Sequence, residues 1–339
     1  LKIKIKTLGT NIIFDQKKIE LESINSKILL INFINNQFSI DNLKVSTKLI
    51  KVKDLISLLR KFNNTAELFI FEKFTKAGYL IADMELNFDE KGFVNDDYHI
   101  QGNIKDGKFN FSKKYIFDNL DFNFVIKKDN FFFENIKLTL NNIYLLSNSI
   151  NIIKSNNEFF VKGEISSKDQ DFTKENLLIL KFNSFKNYNL EKLNLSSKNT
   201  FSFKIGKKFK LRDLNLISEI NLNQLSYSHK FDLKKYFPKI KETIDLKGHK
   251  IKFITNKSEF KIEGSGDLIL QNNKDKITYI IDKKNDNYIF KVLIDILNNP
   301  ILMKTIKYSK KDSSNAKFNL EGIYKKDKSL QFKTINFKE

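Results

Sequence analysis

Apolar and polar residues alternate along most of this chain, as in Leu120, Phe122, Phe124, Ile126 and again in Ile136, Leu138, Leu140, with mostly Asp, Asn, Lys and Thr between them. Side chains two apart leave a strand on the same face, so each run predicts a β-strand with one apolar and one polar face. Asp106-Gly107, Asp118-Asn119, Asp129-Asn130, Asn141-Asn142 and Asn156-Asn157 fall among these runs at spacings of 12, 11, 12 and 15 residues. These residue types favour tight turns, so the pattern predicts a mainly β chain folded as a long antiparallel meander.

The same alternation opens the chain at Ile3, Ile5 and Leu8, then Ile19 and Leu21, then Phe38 and Ile40. It gives way at Val52, where Val52, Leu55, Ile56, Leu58, Leu59 and Phe62 recur at helical spacing, predicting a short amphipathic helix over 52–61 that caps one end of a β core. From Ala66 to Ile165 strands are expected throughout. Breaks are expected at 169–180, with a helical turn at Glu175-Asn176-Leu177, and at 233–241, where Pro238 argues against a central strand. Beyond them the turn signals Asn272-Asn273, Asp286-Asn287 and Asn298-Asn299 continue the meander. Gly102, Gly163, Gly264 and Gly322 each follow an alternating run and predict bulges or bends that curve the sheet. No linker composition divides the chain, so 1–339 reads as one continuous β segment.

The net charge of +20 invites an anionic partner. Arginine only at Arg60 and Arg212, alanine only at four positions, and abundant Lys, Asn, Ile and Phe are the usage of an AT-rich genome, which accounts for most of the basicity. Its distribution is nevertheless uneven. Residues 51–100 carry a net −2, 201–250 a net +7 and 301–339 a net +6. The cluster Lys204, Lys207, Lys208, Lys210 and Arg212, beside Phe201, Phe203 and Phe209, is the candidate contact with an anionic surface. On a strand Phe201 and Phe203 share the face opposite Lys204, which places the rings in the apolar layer and makes nucleic-acid binding the weaker reading. There is no cysteine, no apolar run of membrane-spanning length and no signal-peptide pattern. The chain starts at Leu1 already in strand pattern, which is the expectation for a piece of a longer protein.

Catalytic chemistry finds little support. His99, His229 and His249 have no metal-ligand spacing, Ser228-His229-Lys230-Phe231-Asp232 is adjacency rather than a triad, and Gly264-Ser265-Gly266 lacks the lysine and helix of a phosphate loop. A non-enzymatic protein without cofactor or metal is expected.

One stretch carries a family resemblance. The helix Val52 to Arg60 is followed by Ala66-Glu67-Leu68-Phe69-Ile70, then Ala77-Gly78-Tyr79-Leu80-Ile81-Ala82-Asp83-Met84-Glu85-Leu86-Asn87-Phe88-Asp89, then Ile100-Gln101-Gly102-Asn103-Ile104-Lys105-Asp106-Gly107-Lys108-Phe109. Over roughly Val45 to Ile165 this resembles the carboxyl-terminal region of the AsmA-like proteins of Gram-negative bacteria. The resemblance implies a repeating β-groove, a U-shaped trough with an apolar lining, in a periplasmic protein anchored in the inner membrane through a segment outside this sequence. It implies transfer of phospholipid between inner and outer membrane, with bacterial membranes and envelope proteins as partners. The expected lining is Phe109, Phe111, Leu120, Phe122, Phe124, Ile126, Phe131, Phe133, Leu138 and Leu140, the longest run of in-phase strands. Periodicity alone leaves open a closed sandwich or barrel. A structural scaffold that binds an envelope partner by strand addition also stays open.

Overall fold

The computed structural model describes residues 2–14, 17–32, 37–62, 66–89, 95–110, 114–155, 158–179, 189–206, 210–228, 233–257, 259–285, 287–297, 299–304, 307–312, 314–325 and 329–339. The chain is mainly β, an antiparallel meander with three short helices among the described residues. It divides into two compact units, one formed chiefly by residues 1–163 and the other by 164–204 and 210–339.

In the first unit β1 (Lys2–Leu8) and β2 (Asn11–Phe14) both pair with β3 (Lys17–Asn32), and β3 pairs with β4 (Gln37–Thr47). After β5 (Ile50–Lys51) come α1 (Val52–Phe62) and α2 (Ala66–Phe74). Next, β6 (Thr75–Asn87) pairs with β4 and β5 on one side and β7 (His99–Asn110) on the other. The meander continues through β8 (Ile116–Lys127), β9 (Asn130–Leu140) and β10 (Ile143–Ser155). The predicted helix is present as α1. Val52 and Ile56 are buried against Ile19, Leu21, Ile50, Leu80, Ala82 and Phe124, so α1 caps the apolar face over β3, β5 and β6.

Helix α2 corrects an expectation, since strand had been expected from Ala66. Leu68, Phe69, Ile70 and Phe71 are contiguous and show no period. What holds the helix is distant in sequence: Glu72 accepts from Ser57 (2.8 Å) and pairs with Arg60, whose guanidinium also lies over the Phe69 ring at 5.0 Å.

Strand β11 (Glu158–Asp171) leads into the second unit, which holds α3 (Lys174–Ile179) at the expected helical turn, β12 (Asn189–Ile205) and β13 (Leu211–Ser228). Asn176 and Thr173 bond each other across the first turn of α3, Asn176 Oδ1 accepting from the Thr173 N–H at 2.8 Å. From β13 the pairing is sequential through β14 (Thr243–Asn256), β15 (Glu259–Ile269), β16 (Asp275–Lys284) and β17 (Asn287–Ile296). A small hairpin, β18 (Ile301–Met303) with β19 (Tyr308–Lys310), interrupts before β20 (Ala316–Tyr324) pairs with β17 and β21 (Leu330–Lys338) with β20. The 233–241 break consists of turns around Tyr236 and Phe237, as Pro238 requires.

Two predicted turns are not turns. Asp106-Gly107 and Asp118-Asn119 lie inside β7 and β8, where Asp106 (φ 52°) and Asn119 (φ 51°) are the extra residues of β-bulges. Asn135 (φ 54°) does the same in β9. Asp and Asn tolerate this left-handed backbone, so the same residues mark a bulge or a turn. Asn141-Asn142 is a true hairpin turn with both residues at positive φ (47° and 69°), and β8 and β9 join through Lys128-Asp129. Asn156-Asn157 is outside the described residues.

The glycine expectation is also corrected. Gly102 and Gly264 keep unbroken register opposite Phe124 and Tyr279, and beside Gly322 the register slips because of an extra residue in β21. Gly264 and Gly322 make room for rings, whereas at Gly102 and Gly163 a Cβ would meet the neighbouring backbone, the carbonyls of Ile81 and Ser149. A Cβ at Gly264 would meet the Tyr279 ring at 2.4 Å, and one at Gly322 the Phe290 ring at 2.6 Å. Within each unit the antiparallel sheet is open, and the U-shaped closure expected from the resemblance is not formed there.

Candidate functional site

Pleat and register place the expected lining residues on one face of the first unit. Phe109 stands opposite Phe117, Ile104 opposite Phe122, Gly107 opposite Leu120 and Ile100 opposite Ile126. On β9, Phe131 and Phe133 oppose Ile126 and Phe124, and Leu140 opposes Phe117. Leu138 and Leu140 then face Leu145 and Ile143 of β10. The three bulges make this continuity possible. Apolar positions are even-numbered at Ile104 and odd at Phe109, odd at Phe117 and even at Leu120, odd at Phe133 and even at Ile136, and each change of parity is absorbed by one extra residue. Phe111 lies outside the described residues.

Rings share this face at contact distance, Phe122 with Phe124 at 6.2 Å and with Phe133 at 5.6 Å. Phe124 is 8% exposed, inside the cluster under α1, whereas Leu120, Phe122, Ile126, Phe131, Leu138 and Leu140 are half-buried. The helix contacts fall on β3, β5 and β6, so α1 covers one end of the face; over β8–β10 its burial is mixed, with Ile136 and Ile143 buried and Leu120, Phe122, Leu138 and Leu140 half-buried.

The second unit repeats the arrangement, in a place the sequence reading did not single out. Ile251, Gly264, Tyr279, Val292, Leu320 and Ile335 are successive register partners across six strands of one apolar face. An aromatic ladder runs beside this row, Phe253 to Phe260 at 5.7 Å, Phe260 to Tyr288 at 6.0 Å and Tyr288 to Tyr324 at 6.1 Å. Part of its signal in the sequence was present, since the alternating run ahead of Gly264 begins with Phe260.

One end of this unit is closed by a buried polar cluster. Lys310, 1% exposed, donates to the carbonyls of Leu297 (3.0 Å), Asn299 (2.8 Å) and Lys311 (3.1 Å). Asn299 donates to Asp275 Oδ2 (2.9 Å) and the Leu297 N–H to Asp275 Oδ1 (2.9 Å). Gln271 joins the cluster, donating to the Pro300 carbonyl (2.8 Å) and accepting from the Lys239 N–H (3.0 Å). Burial pushes the Asp275 carboxyl up from its ordinary value, opposed by those two bonds and by the Lys310 charge. Each polar group here has its partners inside the protein, the pattern of a latch rather than of a binding site.

His249 is likewise satisfied within the protein. His249, fully buried, sits over Gly266, and its Nε2–H donates to the Asp267 carbonyl (3.0 Å), so Nδ1 accepts from the Tyr279 hydroxyl (3.4 Å). Burial raises that phenol to about 12. A shallow cavity of about 470 Å³ lies beside Gly264, lined on its polar side by Glu219, Lys252 and Glu263, register partners of alternating sign. No group of three or more acidic, His or Cys residues suited to a metal occurs among the described residues. Of the basic cluster, Lys204, Lys210 and Arg212 are exposed, with Lys204 paired to Asp213 at 3.4 Å. Lys207 and Lys208 lie outside the described residues.

No family model, curated protein or solved structure matches the chain.

Proposed function

We propose that this chain is a non-enzymatic carrier of acyl lipid, serving phospholipid transfer between the inner and outer membranes of a Gram-negative envelope from the periplasm. The observation that carries the reading is the one-sided apolar face, continuous across consecutive strands and only partly covered by α1 in the first unit. Lipid tails supply the missing layer. A chain of about sixteen carbons burying half its surface there gains about 6 kcal/mol, enough to hold lipid and weak enough to release it. An open face serves as well as a trough, because headgroups stay in water along the edges. The envelope setting rests on the resemblance between Val45 and Ile165.

The test is native mass spectrometry of the purified chain, with extracted small molecules identified afterwards. Phospholipid bound in several copies supports the carrier reading. A lipid-free mass that persists after incubation with phospholipid vesicles rejects it.

A second reading, an envelope scaffold that adds a partner strand, is favoured by β21. This strand pairs with β20, and Leu330, Phe332 and Ile335 are 50%, 49% and 61% exposed. Scaffold function predicts a specific protein crosslinked at β21 and no co-purifying lipid.

A further inference from the structure

We infer that the helical pair α1–α2 of the first unit docks on an anionic lipid bilayer, seated in the interface between headgroups and acyl chains. Val52, Ile56 and Leu59 lie on one stripe of α1, Ile56 four and Leu59 seven residues after Val52. The first two are buried against the sheet, whereas Leu59 is 43% exposed, so the apolar stripe runs on past what the sheet covers. On α2, Phe69 and Phe71 are 49% and 52% exposed. Residues two apart on a helix point about 200° away from each other. Both flanks of α2 therefore present a ring.

The charges around these side chains are of one sign. Among the described residues, every exposed charged side chain from Lys51 to Lys76 is a lysine: Lys51, Lys53, Lys73 and Lys76. None of the four forms an ion pair with a described residue. The described carboxylates of the pair are half-buried, Glu72 held by Ser57 and Arg60, and Asp54 in the first turn of α1. On strands β6, β7 and β9, by contrast, Asp83, Asp106 and Glu134 are exposed among the lysines. A genome-wide preference for lysine does not account for this. Residues 51–100 as a block are net −2, yet 51–76 alone are net +3, the balance being the acids that follow.

Exposed Leu and Phe beside unpaired lysines match the two layers of a bilayer surface, anionic headgroups outside and acyl carbons behind. A bilayer meets both flanks of a helix that sinks into its interface. A flat protein surface would cover Phe69 or Phe71 and leave the other in water. The pair is also held ready, α1 by Val52 and Ile56 against the sheet and α2 by the bonds from Glu72 to Ser57 and Arg60, so seating it requires no rearrangement. The inference goes beyond the carrier reading and stands whether or not acyl chains occupy the apolar face.

The chain contains no tryptophan, so Phe71→Trp reports from this site alone. Its emission should move to the blue with vesicles of phosphatidylcholine and phosphatidylglycerol, be quenched when their acyl chains are brominated, and stay unchanged with phosphatidylcholine alone. Phe132→Trp, at a 40% exposed position of β9, should respond to neither. In sedimentation of the full chain with the anionic vesicles, the triple variant Lys53→Gln, Lys73→Gln, Lys76→Gln should bind on the order of a hundredfold more weakly than the parent. A matched triple of exposed lysines on β9 and β11, Lys137→Gln, Lys162→Gln, Lys168→Gln, loses the same charge and should retain binding. Phe69→Gln with Phe71→Gln should bind about tenfold more weakly. All three variants should melt like the parent. The inference is overturned if the Phe71→Trp emission does not move, if the two lysine triples lose binding equally, or if the phenylalanine pair binds as the parent does. An acidic protein as the true occupant would give the first of these results. A blue shift without extracted phospholipid would reject the carrier reading and leave the docking surface standing.

Discussion

Gly102 and Gly264 occupy matching places in two strands, yet different atoms stand where a side chain would go. At Gly264 the space for a Cβ is filled by the far end of the Tyr279 ring, at 2.4 Å. Gly264→Ala should therefore cost about 1 to 3 kcal/mol, and most of that cost should vanish in the double variant with Tyr279→Ser. At Gly102 the obstacle is the Ile81 carbonyl at 2.2 Å, part of the ladder itself. Gly102→Ala should be at least as costly, and trimming Phe124 should not rescue it. Denaturant melts of the four variants separate these outcomes. Asn119 makes a converse case: at φ 51° it suits glycine, so Asn119→Gly should leave stability unchanged or raise it by a few tenths of a kcal/mol, while Asn119→Val should cost about 1 kcal/mol or more. These positions also show what was legible in the sequence. That Asp106 and Asn119 break regular backbone was readable from residue type. That they bulge rather than turn was readable only from the parity of the flanking apolar residues, Ile104 to Phe109 and Phe117 to Leu120, which a count of turn signals ignores.

Among the elements, α1 and the β18–β19 latch do related work, each closing one end of its own unit. The helix announced itself through apolar spacing, whereas α2 did not, because its anchors Ser57 and Arg60 belong to another helix. The latch was invisible for the same reason: nothing near Lys310 in sequence says that it is buried against the carbonyls of Leu297 and Asn299. Lys310→Met should cost about 3 to 5 kcal/mol, since it strands those carbonyls and leaves the Asp275 carboxyl without its countercharge. The pH dependence has a definite sign. Burial holds Asp275 above its ordinary value of 3.8, so on raising the pH the unfolded chain ionises first. The group therefore favours the fold most below 3.8 and less as the pH climbs through its raised value. Melting temperatures of the chain and of Asp275→Asn, followed across that window, should shift in favour of the variant as pH rises and then run parallel. A slope of opposite sign would mean that Lys310 outweighs burial.

For the whole molecule, the decisive question is whether the apolar face is a core or a surface in use, and two residues on the same face of β8 and β9 separate the answers. Phe124 belongs to the cluster under α1, so Phe124→Asp buries an unpaired charge and should unfold the first unit, at a cost of about 3 to 5 kcal/mol. Leu138 lies on the next strand, half-buried opposite Leu145, beyond the strands that α1 contacts. A carboxylate there reaches water and should leave the fold intact. It stands, however, where a lipid tail would lie, and an interaction loss of about 1.4 kcal/mol per tail already lowers occupancy about tenfold. Leu138→Asp should thus melt like the parent and carry far less phospholipid by native mass spectrometry. If it unfolds instead, the β8–β10 face is closed by protein and the carrier reading loses its site. If it folds and binds lipid undiminished, the tails lie elsewhere, and the face of the second unit, with Phe260, Tyr288 and Tyr324 across it, becomes the place to put the next charge.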